Sequence, residues 1–597
     1  MNYLKYKPSV RALTGPWVGC SALILTTILL LGCVAQDGIT QKSKGTADNA
    51  PSRVGDVRTM PESALGGYLA GHHARHIFDP EAAAEFFSRT LRSDPKNPEL
   101  LRQLLVAQVA RGHLEEALDV AHRLKDQSGP EPLPLLVLAA GKVKTEDFSE
   151  ASQLLEAFPE TRFYPFIKSL LLAWTTAGDG DFVSALTKLD FLNSSPNFAP
   201  THDYHAALIS NLLGEEKQAT SFFTRALSSA RQPSLRSLLA AGTFYELHGD
   251  AEVARQLYKS FPQAGPEDTV LQHALSRLES GVLGKELVST ASQGFAEALF
   301  EISASLFRER AYEPALIYCQ TALFLHPDLD AARVQLADIY VAIGNHSLAV
   351  STFQTILTTS PYSWSARIRM AKSLEETGRT KEARSELRKL ATQQLTRIEP
   401  LLALADILRI QEEYNDAIVV YDEAISRVDP IETRHWSIFY ARGMSLERNG
   451  DWERAELDFL QALRLQPDQP LVLNYLGYSW VEQGTKLVEA KSMIQRAVEQ
   501  RPNDGYIVDS LGWVLYRLQE FEAALVHLER AVELRPDDPV INDHYGDALW
   551  AIGRHSEAKF QWLRALSLDP EKNLQESVQK KLKRPNPKKP FNTTSNS

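Results

Sequence analysis

The sequence predicts an all-α fold, a solenoid of stacked helix-turn-helix units arranged in two blocks. Three observations predict it. An alanine recurs at a near-constant interval along most of the chain. Small and bulky residues hold fixed offsets around it. The 597 residues contain only three cysteines and no repeated metal-ligand pattern, so stability must come from each unit stacking on the next.

The stretch 539–570 shows the unit in full. Two antiparallel helices approach closely only where one presents Gly or Ala, and Gly546 and Ala558 mark that contact. Trp562 fills the space one turn further on, and Ala565 follows. Gly553 supplies the positive φ of a helix C-cap, and Pro570 ends the second helix. The small residue of the second helix recurs as Ala83, Ala117, Ala151, Ala185, Ala219 and Ala254. After a break of 61 it continues as Ala315, Ala349, Ala383, Ala417, Ala455, Ala490, Ala524 and Ala558. Within each series the gaps are 34 to 38 residues. This register resembles the tetratricopeptide repeat, a helix-turn-helix of about 34 residues. The resemblance implies a superhelix whose inner, concave surface is lined by the first helix of each unit.

Residues 1–32 have the character of a signal segment. Lys5, Lys7 and Arg11 precede an uncharged apolar stretch, Trp17 to Leu31, and Leu30-Leu31-Gly32-Cys33 follows. That order resembles a bacterial lipoprotein signal, which implies cleavage before Cys33 and acylation of that cysteine. Val34 is not Asp, so the sorting rule of such lipoproteins favours the outer membrane. An uncleaved anchor, or a secretory signal cut after Ala35, are the competing readings. One acyl chain holds a protein only marginally, whereas several hold it durably. Residues 33–62 read as a flexible tether with an r.m.s. span of roughly 30 Å.

A first block is expected over 63–261, with degenerate units in which Gly71, Gly112 and Gly249 survive at turn or contact positions. Over 262–294 the period fails, in an irregular joint or a strongly diverged unit. The second block, 295–571, is more regular, and prolines close six of its units. Residues 572–597 begin as a short helix, a cap on the last repeat, and become a basic tail of formal charge +6, read as a disordered solvated end. The whole chain carries −11, which argues against nucleic acid as a partner.

No constellation supports catalysis. HExxH and GxSxG are absent. Gly281 to Lys285 has the outline of a phosphate loop, but Glu286 stands where Ser or Thr is required. His72 and His76 share a helix face with His73 beside them, yet no nearby carboxylate or thiol clearly completes a metal site. Neither a metal nor a cofactor is expected, and a small-molecule ligand is not favoured. Cys319 falls at the bulky, buried position of a second helix, where an inert thiol fits.

The informative residues are those with no duty in the repeat. Positions one or four beyond the small contact residue of a first helix point into the groove. They are Tyr478, Trp513, Tyr516, Arg517, Asp547 and Trp550, with Asn474, Asp509 and Asp543 one turn earlier. Aromatic rings beside carboxylates and an arginine suit a peptide segment, although each ring could instead pack on the adjacent helix pair. The Lys and Asn positions of the known chaperone-binding clamp of this repeat family are not reproduced.

The runs LNYLGYSWVEQG, DSLGWVLYRLQEFEAALVHLERAVELRPDDP and NDHYGDALWAIGRHSEA resemble one subgroup of proteobacterial outer-membrane tetratricopeptide lipoproteins. In that subgroup the lipoprotein binds a periplasmic carboxyl-terminal processing protease and helps deliver its substrates, among them peptidoglycan hydrolases. The resemblance implies a scaffold or adaptor with no activity of its own, on the periplasmic face of the outer membrane. The alternative is a structural lipoprotein of a polysaccharide or protein export complex.

Overall fold

A computed structural model describes residues 63–161, 164–229, 233–260 and 268–585. The predicted signal segment, Cys33, the tether and the tail from 586 onward lie outside these residues. Thirty α-helices and no strand occur among the described residues. Most are 9 to 15 residues long and pair in sequence as antiparallel hairpins. Their starts follow from local chemistry. Asp147, Asp181, Asn345 and Asp451 each accept an amide three residues ahead, and Pro98, Pro470 and Pro539 occupy first helical positions, where no amide is needed.

None of the fourteen anchor alanines is more than 1% exposed. The residue twelve before the anchor (thirteen before Ala490, at Gly477 against Ile494) and the residue four after it form the lock of each hairpin. In the last hairpin a Cβ on Gly546 would lie 2.5 Å from the Trp562 ring, so the indole occupies the notch that glycine leaves. Gly71 with Phe87, Gly242 with Tyr258, Gly443 with Phe459 and Gly512 with Leu528 repeat the arrangement. In the second hairpin the sizes are exchanged: Leu105 and Ala121 are both fully buried. Cys319 holds the bulky position opposite Ser303, and burial pushes its thiol up to about 12, so it is a packing residue rather than a nucleophile.

The turn between the two helices is equally regular. The residue five before the anchor has positive φ in thirteen of the fourteen units. In the remaining unit the neighbours Gly484 and Lys486 do. Gly553 and several other glycines fill this place, but Phe78, Glu146, Arg310, Glu412 and Gln519 adopt the same left-handed conformation. The hairpin geometry imposes it, so glycine is helpful and not obligatory there.

Among the described residues the chain forms two compact units, 63–393 and 394–585. In the 63–393 unit the chain closes its own first-helix layer. The hairpin of Ala291–Arg308 and Tyr312–Leu325 packs on the first helices Pro98–Ala110, Pro132–Lys144, Tyr164–Gly178 and Ala199–Leu212. Gly294 permits the approach, since a Cβ there would lie 2.0 Å from the Trp174 ring. Glu297, fully desolvated, accepts from Tyr204 Oη at 2.9 Å and Arg236 Nε at 2.9 Å. Burial alone would raise its pKa, but the Arg236 guanidinium more than offsets this and holds it below the usual value. Trp174 Nε1 donates to His205 Nδ1 at 3.0 Å, which leaves His205 Nε2 to donate to Glu301 at 2.8 Å. The stretch after Asp268–Glu279 is fastened as well: Gly284 N donates to Glu246, which also pairs with Arg277. The amide of the apparent phosphate loop is therefore spent on a carboxylate.

Two outcomes follow from the lock and the turn. Gly546→Val should destabilise the last hairpin by about 1–3 kcal/mol through overpacking against Trp562, read as faster amide exchange across 539–567. Gly553→Ala should cost about 1–2 kcal/mol, because alanine must adopt positive φ there.

Candidate partner-binding face

Within the 394–585 unit three successive first helices lie side by side: Pro470–Gln483, Gly505–Arg517 and Pro539–Ala551. The repeat register aligns their side chains in rows. Asn474, Asp509 and Asp543 form one row, Tyr478, Trp513 and Asp547 a second, and Tyr516 and Trp550 a third. These eight and Arg517, the nine predicted residues, come to the same layer, and the structure shows what each touches.

Trp513 is the centre. Its ring stacks on His544 with centroids 4.0 Å apart and on Tyr516 at 5.0 Å, both nearly parallel. Its Nε1 donates to Glu482 at 2.8 Å, and Arg517 lies 4.0 Å from the same carboxylate. Trp513 and Tyr516 are half-buried, so a ring stack remains partly open at the surface. His544 is buried beside Asp509, with Nδ1 3.1 and 3.0 Å from the two carboxylate oxygens. Burial would push this imidazole down; the Asp509 carboxylate outweighs it and holds the pKa above the ordinary value.

Trp550 divides its contacts between Trp562, at 5.3 Å, and His555, at 4.4 Å. It therefore packs within its own hairpin more than it faces the groove. Tyr478 is half-buried, and burial holds its hydroxyl well above the ordinary value, with Glu482 and Asp509 adding to that. Asn474 Oδ1 is buried without a hydrogen-bond partner.

Asp543 and Asp547 are one turn apart on the last first-helix. Lys581, from the terminal helix Lys572–Leu582, binds both: its Nζ lies 2.7 and 2.8 Å from the two Asp543 oxygens and 2.7 Å from Asp547 Oδ2. Burial and then the neighbouring Asp547 raise the Asp543 pKa. Burial would lower Lys581, but the two carboxylates together hold it above its usual value. The terminal helix is otherwise lightly held. Only Leu574 and Val578 are fully buried, worth roughly 1.5–3 kcal/mol each.

Three residues of this face were not among the sequence candidates: Glu482, His544 and Lys581. Glu482 occupies the repeat position of Arg517, 35 residues earlier, so the register held that signal. Lys581 continues the apolar spacing Leu574, Val578, which places it on the packed side of its helix. His544 gave no signal beyond its neighbour Asp543. In the 63–393 unit, His72 meets Tyr68 and Phe87 edge-on.

A family model described as tetratricopeptide repeat matches residues 440–505 and 510–573, which contain most of this face. A curated relative, the TPR repeat-containing protein PA4667 of Pseudomonas aeruginosa, is 29% identical over 153 residues, covering 26% of this chain and 25% of that protein. Human protein O-mannosyl-transferase TMTC1 is 24% identical over 204 residues, covering 34% of this chain and 22% of that one. The alignments thus span about a quarter of these relatives' own lengths. Among solved structures, the chain is similar to one in the APC/C hetero-tetramer Cut9-Hcn1, at 16% identity and a TM-score of 0.38, covering 87% of this chain and 96% of that one. It is also similar to YrrB, a TPR protein with an unusual peptide-binding site, at 21% identity and a TM-score of 0.27, covering 32% of this chain and 97% of that one.

The His544–Asp509 pair gives a signed pH dependence. With its folded pKa raised, His544 contributes stability that is present below the ordinary histidine pKa and lost as pH rises through the folded value. Asp509→Asn should therefore lower the His544 titration midpoint by NMR. It should also cost more stability at about pH 5.5 than at about pH 9.

Proposed function

We propose that this chain, a tetratricopeptide-repeat protein, is a non-catalytic scaffold that holds protein partners through the first-helix face of residues 470–551. The observation that carries this reading is the half-open stack of Trp513 and Tyr516, flanked by Glu482, Arg517 and Asp547, on a face the repeat itself does not need. Rings supply contact area and the charged groups set register, the combination that extended or helical protein segments require. In the 63–393 unit the corresponding layer is covered by the chain's own Ala291–Leu325 hairpin, so that face is spent internally.

The partners proposed are a periplasmic carboxyl-terminal processing protease and its cell-wall-hydrolase substrates. This rests on the resemblance of 473–558 to lipoprotein adaptors and on the similarity to the bacterial relative. The site of action proposed is the periplasmic face of the outer membrane, with acylated Cys33 as the anchor. Anchoring confines the partners near the bilayer, and a scaffold that holds two of them raises their effective concentration without chemistry of its own.

Two measurements test this. Affinity purification from solubilised envelopes should recover a protease or cell-wall enzyme, and Trp513→Ala should reduce its retention by about tenfold while helicity is unchanged. Recovery of the bait alone would remove the scaffold reading; unchanged retention would move the partner surface elsewhere. Cys33→Ser should shift the protein from the membrane pellet to the soluble fraction. A variant still pelleting with membranes would rule out acylation as the anchor.

A further inference from the structure

We infer that the terminal helix Lys572–Leu582 is a built-in occupant of the partner-binding face, and that the segment it yields to must present a cationic side chain such as lysine. The inference rests on the reading that this face receives partners, and it adds the chemical class of what is received.

The argument begins with Asp543 and Asp547. Asp543 is almost wholly buried, Asp547 is mostly so, and the two lie one turn apart on the same helix. Two carboxylates in that setting cannot be left without a counter-charge, since removing one partner of a buried pair strands the other. Lys581 supplies that charge. Its three short contacts to carboxylate oxygens match the three donors of an ammonium group, and its Nζ lies 5.9 Å from the Trp562 ring. A guanidinium can also bridge two carboxylates, as Arg442 does with Asp422 and Asp458 in the same unit, so the seat calls for a side-chain cation, here the compact ammonium of lysine.

The element carrying Lys581 is the one most easily exchanged. The helix has eleven residues, and helices of that length are marginal in water on their own. It follows the last repeat hairpin, packs on its second helix His555–Ser567 through Leu574, Val578 and Leu582, and is tied to the first-helix layer by the Lys581 contacts. It is basic, with Lys580, Lys583 and Arg584 beside Lys581. The same chain shows that a first-helix layer accepts such an occupant: in the 63–393 unit the Ala291–Arg308 helix delivers Glu297 and Glu301 to Arg236 and His205. There the occupant is long, deeply packed and acidic; here it is short, lightly packed and basic.

Lifting the terminal helix by an apolar or acidic segment would strand Asp543 and Asp547. A lysine-bearing segment replaces one ion pair with another, so exchange carries no desolvation penalty. The helix then acts as a competitor in cis, weakening every partner by its own occupancy and rejecting those without the cation.

The test uses the purified full chain and a labelled synthetic peptide of residues 572–585, with a second peptide carrying Gln at 581. Full-length Lys581→Gln should bind the lysine peptide at least tenfold more tightly than the wild-type chain, since its own helix no longer holds the seat. The glutamine peptide should bind at least tenfold more weakly than the lysine peptide, and adding Asp547→Asn to the chain should abolish the gain. In the wild-type chain, saturating lysine peptide should speed amide exchange over 572–582 and leave 539–551 protected. Equal binding by wild type and Lys581→Gln would overturn the inference, as would equal binding of the two peptides. A fall in melting temperature with no gain in binding would also overturn it, making Lys581 part of the last repeat's own fold. Partner capture that persists and remains sensitive to Trp513→Ala in any of these cases leaves the scaffold reading standing. Loss of capture itself would remove both.

Discussion

The fit of a bulky side chain against a small or absent one, repeated along the hairpins, is the constraint on which the structure depends. Trp562 lies where a Cβ of Gly546 would be, and Phe459 and Leu528 stand against Gly443 and Gly512 in the same way. The notch brings the two helices close enough for the anchor alanine to be fully excluded from water. With that distance set, the connecting residue has no choice but the left-handed region, and residues as unsuited as Phe78 and Glu146 adopt it. A hairpin so built has an apolar flank on each side and no core of its own. It is stable only against its neighbours, which is why stacking carries the fold.

Stacking also brings the first helices together in a layer, and the two units treat that layer differently. In residues 63–393 it is filled by the chain. Gly294 admits the Ala291–Arg308 helix against Trp174, and buried pairs such as Glu297 with Arg236 specify its seat. In residues 394–585 the layer keeps half-open aromatic rings, and Lys581 covers the carboxylates of its last helix. The contrast follows from charge and packing. A buried pair with full hydrogen bonding and a long apolar flank makes a permanent contact, whereas an ion pair on an eleven-residue helix makes a replaceable one.

The polar groups of the open face form connected sets rather than independent points. Glu482 serves both Trp513 and Arg517, and His544 lies between the Trp513 ring and Asp509. A substitution at any of them is transmitted to the ring stack through the next. The face is thereby preorganised in the free protein, which lowers the ordering cost of receiving a segment.

Much of this was determined by the sequence alone. The interval between Ala83 and Ala558 set the number and phase of the hairpins, because the lock needs small and bulky residues at fixed helical offsets. The same phase placed Asn474 through Trp550 in one layer. The tertiary structure decided what those residues touch. Trp550 turned inward onto Trp562, and Asp543 and Asp547 were taken by Lys581, a residue that the tail's composition marked only as basic. The packing of the Ala291 helix onto helices several repeats earlier, as in Tyr204 with Glu297 across 93 residues, was likewise not legible. Periodicity reports contacts one repeat away, where sequence distance and spatial distance agree. Contacts made by chain return depend on shape and charge complementarity between distant surfaces, which no local pattern encodes.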